Sequence, residues 1–132
     1  MTIAVDFDGV LCEKRWPEIG PANTKLIDHL IELKKKGHTL ILWTCRTNAP
    51  FKDYNTEKDR YLLKEAVDFC SERGLIFDFI NEQDTRSINF FGGDSRKIHA
   101  DIYIDDSNAT EDFMKRYNVP FSSKLAYLES II

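Results

Sequence analysis

The amino terminus has the pattern of a short apolar strand that ends in two carboxylates, Asp6 and Asp8, directly before Gly9. In a strand, residues i and i+2 point to the same side, so these like charges are brought close together at the end of a buried segment. A positive group must therefore lie nearby. A hard divalent cation with oxygen ligands is the simplest candidate. Mg2+ is favoured, because it is usually held by one or two carboxylates together with a substrate phosphate.

Length and composition predict one domain, residues 1–132, with a substantial core. Of the 132 residues, 42% are hydrophobic, and nine Phe, five Tyr and two Trp contribute to that core. The formal net charge of -4 gives no bulk attraction for nucleic acid or for an anionic membrane. Any binding of a polyanion must therefore be local.

We expect a cytoplasmic protein without a membrane span. No apolar run reaches the roughly 20 residues that cross a bilayer, and the first residues have the pattern of a strand rather than of a signal peptide. Cys12, Cys45 and Cys70 are odd in number and lack CxxC spacing, which fits a reducing compartment. We expect Cys12 and Cys45 to be small buried hydrophobes.

Segments with strand patterns and helix patterns alternate along the chain. Apolar periodicity, capping residues and glycine stops predict helices from Asn23 or Thr24 to Gly37 and from Asn55 or Thr56 to about Arg73. Continuous apolar runs predict three further strands, at 38–43, 75–80 and 100–106. Near the carboxyl end, a short helical turn at 95–99 and helices at 110–117 and 123–131 are expected.

This order predicts an α/β fold, a Rossmann-like three-layer α/β/α sandwich with a mainly parallel sheet and right-handed crossovers. Residues 10–22 leave room for only a helical turn and a small hairpin, and no large cap domain is expected. The polar stretch 81–94 is longer than a simple connector and is a candidate substrate loop.

In such a fold the ligand site lies outside the carboxyl ends of the strands. Polar side chains stand at the ends of three of the predicted strands, and one more lies just before the last of these strands. They are Asp6 and Asp8; Thr44, Cys45 and Arg46; Lys97; and Asp105 with Asp106. This set of groups can hold a metal and a phosphoryl group together.

The same residues, in this order, resemble the four motifs of the haloacid dehalogenase superfamily of aspartate-nucleophile phosphatases. The resemblance spans residues 3–106. It comprises Val-Asp-Phe-Asp-Gly-Val, Leu-Ile-Leu-Trp-Thr, Lys97 and Ile-Tyr-Ile-Asp-Asp. The resemblance is to the small capless members, and it implies hydrolysis of a phosphomonoester. Members that cleave carbon–halogen bonds lack the second aspartate of the first motif, whereas Asp8 is present.

The resemblance also implies roles for the motif residues. Asp6 would attack phosphorus and form an aspartyl-phosphate, and Asp8 would act as general acid and then as general base. Thr44 and the neighbouring backbone at Cys45 would donate hydrogen bonds to phosphate oxygens. Lys97 would neutralise phosphate charge and hold Asp6 in place.

Mg2+ would be held by Asp6, the backbone carbonyl of Asp8, and Asp105, with Asp106 orienting the ligands or holding a metal-bound water. Two assignments stay open within these motifs. Arg96 competes with Lys97 for the third motif, and Asp106 competes with Asp105 as the direct ligand. Lys97 is favoured because a compact ammonium suits contact with both phosphate and nucleophile.

Substrate identity stays open at this stage. Trp16, Arg46 and Arg86 are possible substrate contacts, although ordinary packing explains each of them equally well. Capless members often accept large substrates, so a polynucleotide-end or phosphoprotein phosphatase is an alternative to a metabolite phosphatase. Nucleic acid is expected only as a substrate end.

Two other classes of protein are less favoured. A signalling receiver also phosphorylates an aspartate beside Mg2+, but its acids, acceptor and lysine occur in a different strand order. A non-catalytic module that kept the fold and the metal site is the remaining alternative.

Overall fold

The computed structural model describes residues 1–120 and 123–131. Its strands are β1 (Thr2–Val5), β2 (Cys12–Arg15), β3 (Glu18–Ala22), β4 (Thr39–Leu42), β5 (Phe51–Asp53), β6 (Lys58–Arg60), β7 (Phe79–Ile80) and β8 (Ile102–Ile104). Its helices are α1 (Thr24–Lys35), α2 (Leu62–Glu72), α3 (Thr85–Phe91), α4 (Glu111–Arg116) and α5 (Ser123–Ile131).

Four strands form a parallel sheet in the order β7-β4-β1-β8. Val5, the last residue of β1, pairs with Leu42 of β4 and with Ile104 of β8. Because these neighbours end in register, the residues that follow them emerge side by side at one edge. The parallel sheet flanked by helices confirms the predicted Rossmann-like α/β fold.

The two faces of the sheet bury different amounts of apolar surface. Ile3 and Val5 face a large cluster that also contains Leu30 of α1, Cys70 of α2 and Leu128 of α5. The intervening residues of the strands face the other side, as the period of two requires. There Ala4 and Ile41 pack against Ile98 and Ala100, from the segment between α3 and β8. Burial on both faces explains why the strands are continuous apolar runs.

Several predicted elements are confirmed. Helix α1 begins at Thr24 with Asn23 as its N-cap, where the Asn23 side chain accepts a hydrogen bond from the Leu26 N–H. The segment 10–22 contains the expected hairpin, β2–β3. Helix α5 spans the predicted 123–131, and α4 lies within the predicted 110–117. No helix in the described parts of the chain is long and apolar enough to cross a membrane.

Other predictions were wrong in detail. The second helix begins at Leu62 rather than near Asn55, because the preceding residues form an antiparallel hairpin, β5–β6. The third strand is limited to Phe79–Ile80. The stretch 81–94 contains α3, with Asp84 as N-cap and Gly92 in the left-handed conformation as its stop. The segment 95–99 forms no helical turn.

Candidate active site

Three carboxylates converge at the carboxyl edge of the sheet. Asp6 follows β1, and Asp105 and Asp106 follow the neighbouring strand β8. One oxygen from each of these three residues lies within 4.8 Å of the others. The in-register ends of β1 and β8 thus bring together acids that are about a hundred positions apart in the sequence.

Asp6 lies at the centre of this group and is only partly exposed. Burial, together with the charges of Asp105, Asp106 and Asp8, raises the pKa of Asp6 from 3.8 to about 6. The hydrogen bond from the Phe7 N–H to Asp6 Oδ1, 2.8 Å long, opposes this shift. A cation bound nearby would therefore offset the repulsion between the Asp6 carboxylate and the neighbouring negative charges.

Gly9 allows the acids to approach one another. Its φ of +83° is in the left-handed region, and a Cβ at this position would lie 2.3 Å from Asp106 Oδ2. Any larger residue would therefore be strained and would also displace Asp106. This is the physical reason for a glycine directly after the pair of acids.

The Asp8 side chain is not part of the three-carboxylate group and pairs instead with Arg46. The Arg46 Nε donates to Asp8 Oδ2 and Nη2 donates to Asp8 Oδ1, both at 2.8 Å. The Arg46 side chain is fully buried, and the Asp8 side chain is 12% exposed. A two-pronged pair of this kind fixes the orientation of the carboxylate. Asp8 thus has a buried cationic partner of its own.

Arg46 is not available as a substrate contact. Its remaining N–H groups donate to backbone carbonyls, to Leu62 O at 3.4 Å, Pro17 O at 3.2 Å and Glu18 O at 3.3 Å. The guanidinium carbon also lies 5.1 Å from the centre of the Phe7 ring. Arg46 is instead a buried link between Asp8, the β2–β3 hairpin and the start of α2.

The loop after β4 is held by Asn81, which the sequence analysis did not single out. The Asn81 Oδ1 accepts the Thr44 N–H at 2.8 Å, and its Nδ2 donates to Arg46 O at 3.1 Å. The Thr44 hydroxyl oxygen accepts the Arg46 N–H at 3.1 Å, which leaves the hydroxyl proton free to be donated. The positive φ of Asn81, 52°, is one that asparagine tolerates better than most residues.

Two cavities flank Asp6. The first, about 450 Å3, is also lined by Asp8, Thr44, Cys45 and Lys14. Asp105 and Asp106 complete its acidic wall. Cys45 is exposed there, so the expectation that it is buried was wrong, whereas Cys12 is buried as expected.

The second cavity, about 300 Å3, contains Asp6 together with Lys97, Trp43 and Tyr103. The Lys97 Nζ lies 5.6 Å from the centre of the Tyr103 ring. Among the described residues the ion pairs do not include one between Lys97 and Asp6, so the expected direct tie to Asp6 is absent. The structure does bring Lys97, rather than Arg96, to the cavity that contains Asp6.

Lys14 is a further residue that the sequence analysis missed. It lies on β2, and its Nζ is 3.9 Å from Asp106 Oδ2. A lysine among three consecutive charged residues gives no signal in the sequence that it faces a distant acid. Trp16 lies at the turn of the same hairpin and is 53% exposed.

Arg86 and most of the stretch 81–94 do not belong to this site. The Arg86 Nη2 donates to Asp84 Oδ2 at 2.6 Å and to Thr39 Oγ1, at the amino end of β4, at 2.9 Å. Arg86 lines a separate cavity of about 500 Å3 together with Met1 and Thr2. These contacts put it at the opposite edge of the sheet, so the predicted substrate contact and substrate loop are not supported.

Fold and site together define the chain as a Rossmann-like α/β protein with an acid-lined site at the carboxyl edge of its parallel sheet. The chain is similar to a solved structure described as a conserved protein from Bacteroides thetaiotaomicron. The two are 34% identical, the alignment covers 94% of this chain and 96% of the other, and the TM-score is 0.65. The chain therefore belongs to the same family as that conserved protein. No protein-family model and no curated protein matches it.

Proposed function

We propose that the protein is a Mg2+-dependent phosphatase that hydrolyses a phosphomonoester through an aspartyl-phosphate on Asp6. The observation that carries the proposal is the convergence of Asp6, Asp105 and Asp106 within 4.8 Å at the ends of adjacent parallel strands. Thr44 and Lys97 line the two cavities that flank Asp6. This combination of acids, hydroxyl and ammonium matches the four motifs of the haloacid dehalogenase superfamily.

The donor set fits Mg2+. Asp6, Asp105 and Asp106 offer hard carboxylate oxygens, and the raised pKa of Asp6, to about 6, reflects burial and like charges that a divalent cation would offset. The bound ion would neutralise negative charge on the phosphoryl group. Residues Asp6, Asp105 and Asp106 would hold it.

In this proposal Asp6 is the nucleophile. Its oxygen forms a bond to phosphorus as the bond from phosphorus to the leaving oxygen breaks, and water then displaces Asp6 and releases inorganic phosphate. Thr44 donates its hydroxyl proton to a phosphate oxygen. Lys97 supplies positive charge from the second cavity, which makes attack by one anion on another tolerable.

Asp8 transfers the protons. It gives a proton to the leaving oxygen in the first step and takes one from water in the second. The paired N–H groups of Arg46 hold the two Asp8 oxygens at 2.8 Å and so fix the orientation of the carboxyl group. Arg46 is therefore proposed as a positioning residue, because it acts through Asp8 and is itself buried.

A polynucleotide end or a phosphoprotein is the second candidate substrate class. The elements beside the site in the described residues are two short hairpins, β2–β3 and β5–β6, rather than a cap domain. A large phosphorylated molecule would therefore meet little obstruction.

Release of inorganic phosphate from p-nitrophenyl phosphate tests the proposed function. We expect turnover with Mg2+, loss of turnover with excess chelator and recovery when Mg2+ is restored. Asp6→Asn should remove turnover, whereas Asp68→Asn, an exposed surface acid on α2, should leave it unchanged. A folded wild-type protein with Mg2+ that releases no phosphate from a broad panel of phosphomonoesters would contradict the proposal.

A further inference from the structure

We propose that the β2–β3 and β5–β6 hairpins together form a leaving-group subsite that binds a planar aromatic group. The substrate class is then an aryl phosphate or a nucleoside phosphate. The proposal rests on the phosphatase function above and specifies what the phosphoryl group is attached to.

The turn of the β2–β3 hairpin is linked to Asp8, the residue that serves the leaving group in the proposed reaction. The Arg46 Nη2 that donates to Asp8 Oδ1 at 2.8 Å also donates to Pro17 O at 3.2 Å. The β2–β3 turn is thus separated from the Asp8 carboxylate by a single guanidinium group. Because Asp8 serves the leaving oxygen in the proposed reaction, this hairpin is assigned to the leaving-group side of the site.

That turn carries an open aromatic surface. Trp16 is 53% exposed, and its ring meets the ring of Phe51 edge to face, with the ring centres 5.3 Å apart. The contact with Phe51 fixes Trp16 on one side and leaves the rest of its ring accessible. A ring that is already ordered loses little conformational freedom when a second flat ring packs on it.

Arg60 ties the two hairpins together beneath this surface. Its Nη1 donates to Glu18 Oε1 of β3 at 2.6 Å, and its Nη2 donates to Glu65 Oε1 of α2 at 2.7 Å. The Arg60 side chain is 18% exposed, and its partners Glu65 and Glu18 are 34% and 67% exposed, so the pair with Glu65 is the better shielded of the two. The hairpins that carry Trp16 and Phe51 are therefore joined both by this ring contact and by the Arg60–Glu18 ion pair.

Lys14 lies on the hairpin that carries Trp16 and also reaches the cavity that contains Asp6. It lies on β2, two residues before Trp16, and lines the cavity that contains Asp6 and Asp8. A phosphate bound at Asp6 thus has Lys14 beside it, and Trp16 lies beyond Lys14 along the same hairpin.

Two esters with matched leaving groups test the subsite. Benzyl phosphate and cyclohexylmethyl phosphate both release a primary alcohol of similar size, and only the first has a planar aromatic ring. With Mg2+, we expect wild type to prefer benzyl phosphate in kcat/KM by about 5-fold. Trp16→Leu should reduce this preference to near unity while leaving kcat/KM for cyclohexylmethyl phosphate within about 2-fold.

Two further variants control for damage to the hairpin. Trp16→Phe keeps a flat ring and should keep most of the preference. Tyr117→Leu removes an exposed aromatic residue at the end of α4 that lines neither cavity beside Asp6, and it should change neither rate. Phosphotyrosine and adenosine monophosphate then distinguish the two sources of an aromatic leaving group, because Trp16→Leu should slow whichever ester the subsite binds.

The outcomes separate the two proposals. Equal rates for the two esters in wild type, or a preference that survives in Trp16→Leu, would overturn the subsite and leave the phosphatase function standing. Absence of hydrolysis of every ester would overturn the phosphatase function, and the subsite proposal would fall with it.

Discussion

Arg46 holds both carboxylate oxygens of Asp8, through two hydrogen bonds of 2.8 Å made by a guanidinium that is buried from solvent. Asp8 comes from the end of β1 and Arg46 from the loop after β4, so the pair joins neighbouring strands across the site. The same guanidinium holds the turn of the β2–β3 hairpin. The orientation of Asp8 and the position of that hairpin are thus set by one side chain.

We expect Arg46→Met to destabilise the metal-free protein by about 3 kcal/mol, because it leaves the Asp8 carboxylate without its partner. Denaturation by urea measures this cost. Arg116→Met, which removes an exposed arginine at the end of α4, is the matched control and should change stability by less than about 0.5 kcal/mol. In the double variant Arg46→Met with Asp8→Asn, much of the loss should be recovered. Strictly additive effects would show that the pair is not coupled.

Mg2+ should raise the melting temperature of the wild-type protein. At tenfold excess over its Kd, the ion would add about 1.4 kcal/mol of stability, or about 5 °C. Asp105→Asn should abolish this shift, because Asp105 is half-buried and lines both cavities beside Asp6. Asp106→Asn should reduce the shift less, because Asp106 is more exposed and lies 3.9 Å from the Lys14 ammonium. The reverse order would make Asp106 the direct ligand.

The pH dependence of stability should report on Asp6. Burial raises the pKa of Asp6 in the folded protein to about 6, from 3.8, so the fold binds this proton more tightly than the unfolded chain does. The resulting stabilisation is complete below pH 3.8, the pKa of Asp6 in the unfolded chain. It is lost as the pH rises through about 6, the pKa of Asp6 in the folded protein. In the presence of chelator, we expect Asp6→Asn to be more stable than wild type by about 1–2 kcal/mol near neutral pH, after allowance for solvent screening. This advantage should shrink as the pH is lowered towards about 4.5; a constant difference would contradict the account.

Gly9→Ala and Gly92→Ala form a matched pair. Both glycines have positive φ, 83° and 78°, so each substitution carries the backbone strain of the left-handed region, about 1 kcal/mol. A Cβ at Gly9 would also meet Asp106 Oδ2 at 2.3 Å, whereas nothing lies within 4 Å of one at Gly92. We expect Gly9→Ala alone to weaken the Mg2+-induced rise in melting temperature. Equal weakening in both variants would mean that the approach of Asp106 to Gly9 does not matter for the metal.

The elements that the sequence predicted well are those whose burial is periodic. Leu30 and Leu33 mark the buried face of α1, and the run from Thr39 to Leu42 is apolar because both faces of the sheet are covered. The β5–β6 hairpin was missed because Asn55 and Thr56 resemble a helix N-terminus. Their neighbours form a charged two-stranded ribbon with no alternation of apolar residues.

The site was predicted in part, for a similar reason. Acids that directly follow apolar strands signal their location, since parallel strands end at one edge. The sequence indicated Arg46 only as a neighbour of Thr44 and as a possible substrate contact. Its complete burial depends on a partner 38 residues away in the sequence, and no local pattern records that partner. The role of Asn81 likewise depends on contacts with the loop after β4.

Trapping the phosphorylated residue tests the central claim most directly. Asp8→Asn, which lacks the group that activates water, is mixed with Mg2+ and p-nitrophenyl phosphate, quenched in acid and analysed by peptide mass spectrometry. The account predicts one phosphoryl group on Asp6, and no such group when Asp6→Asn is treated in the same way. Phosphate release by Asp6→Asn at the wild-type rate, or a phosphoryl group on another residue, would contradict it.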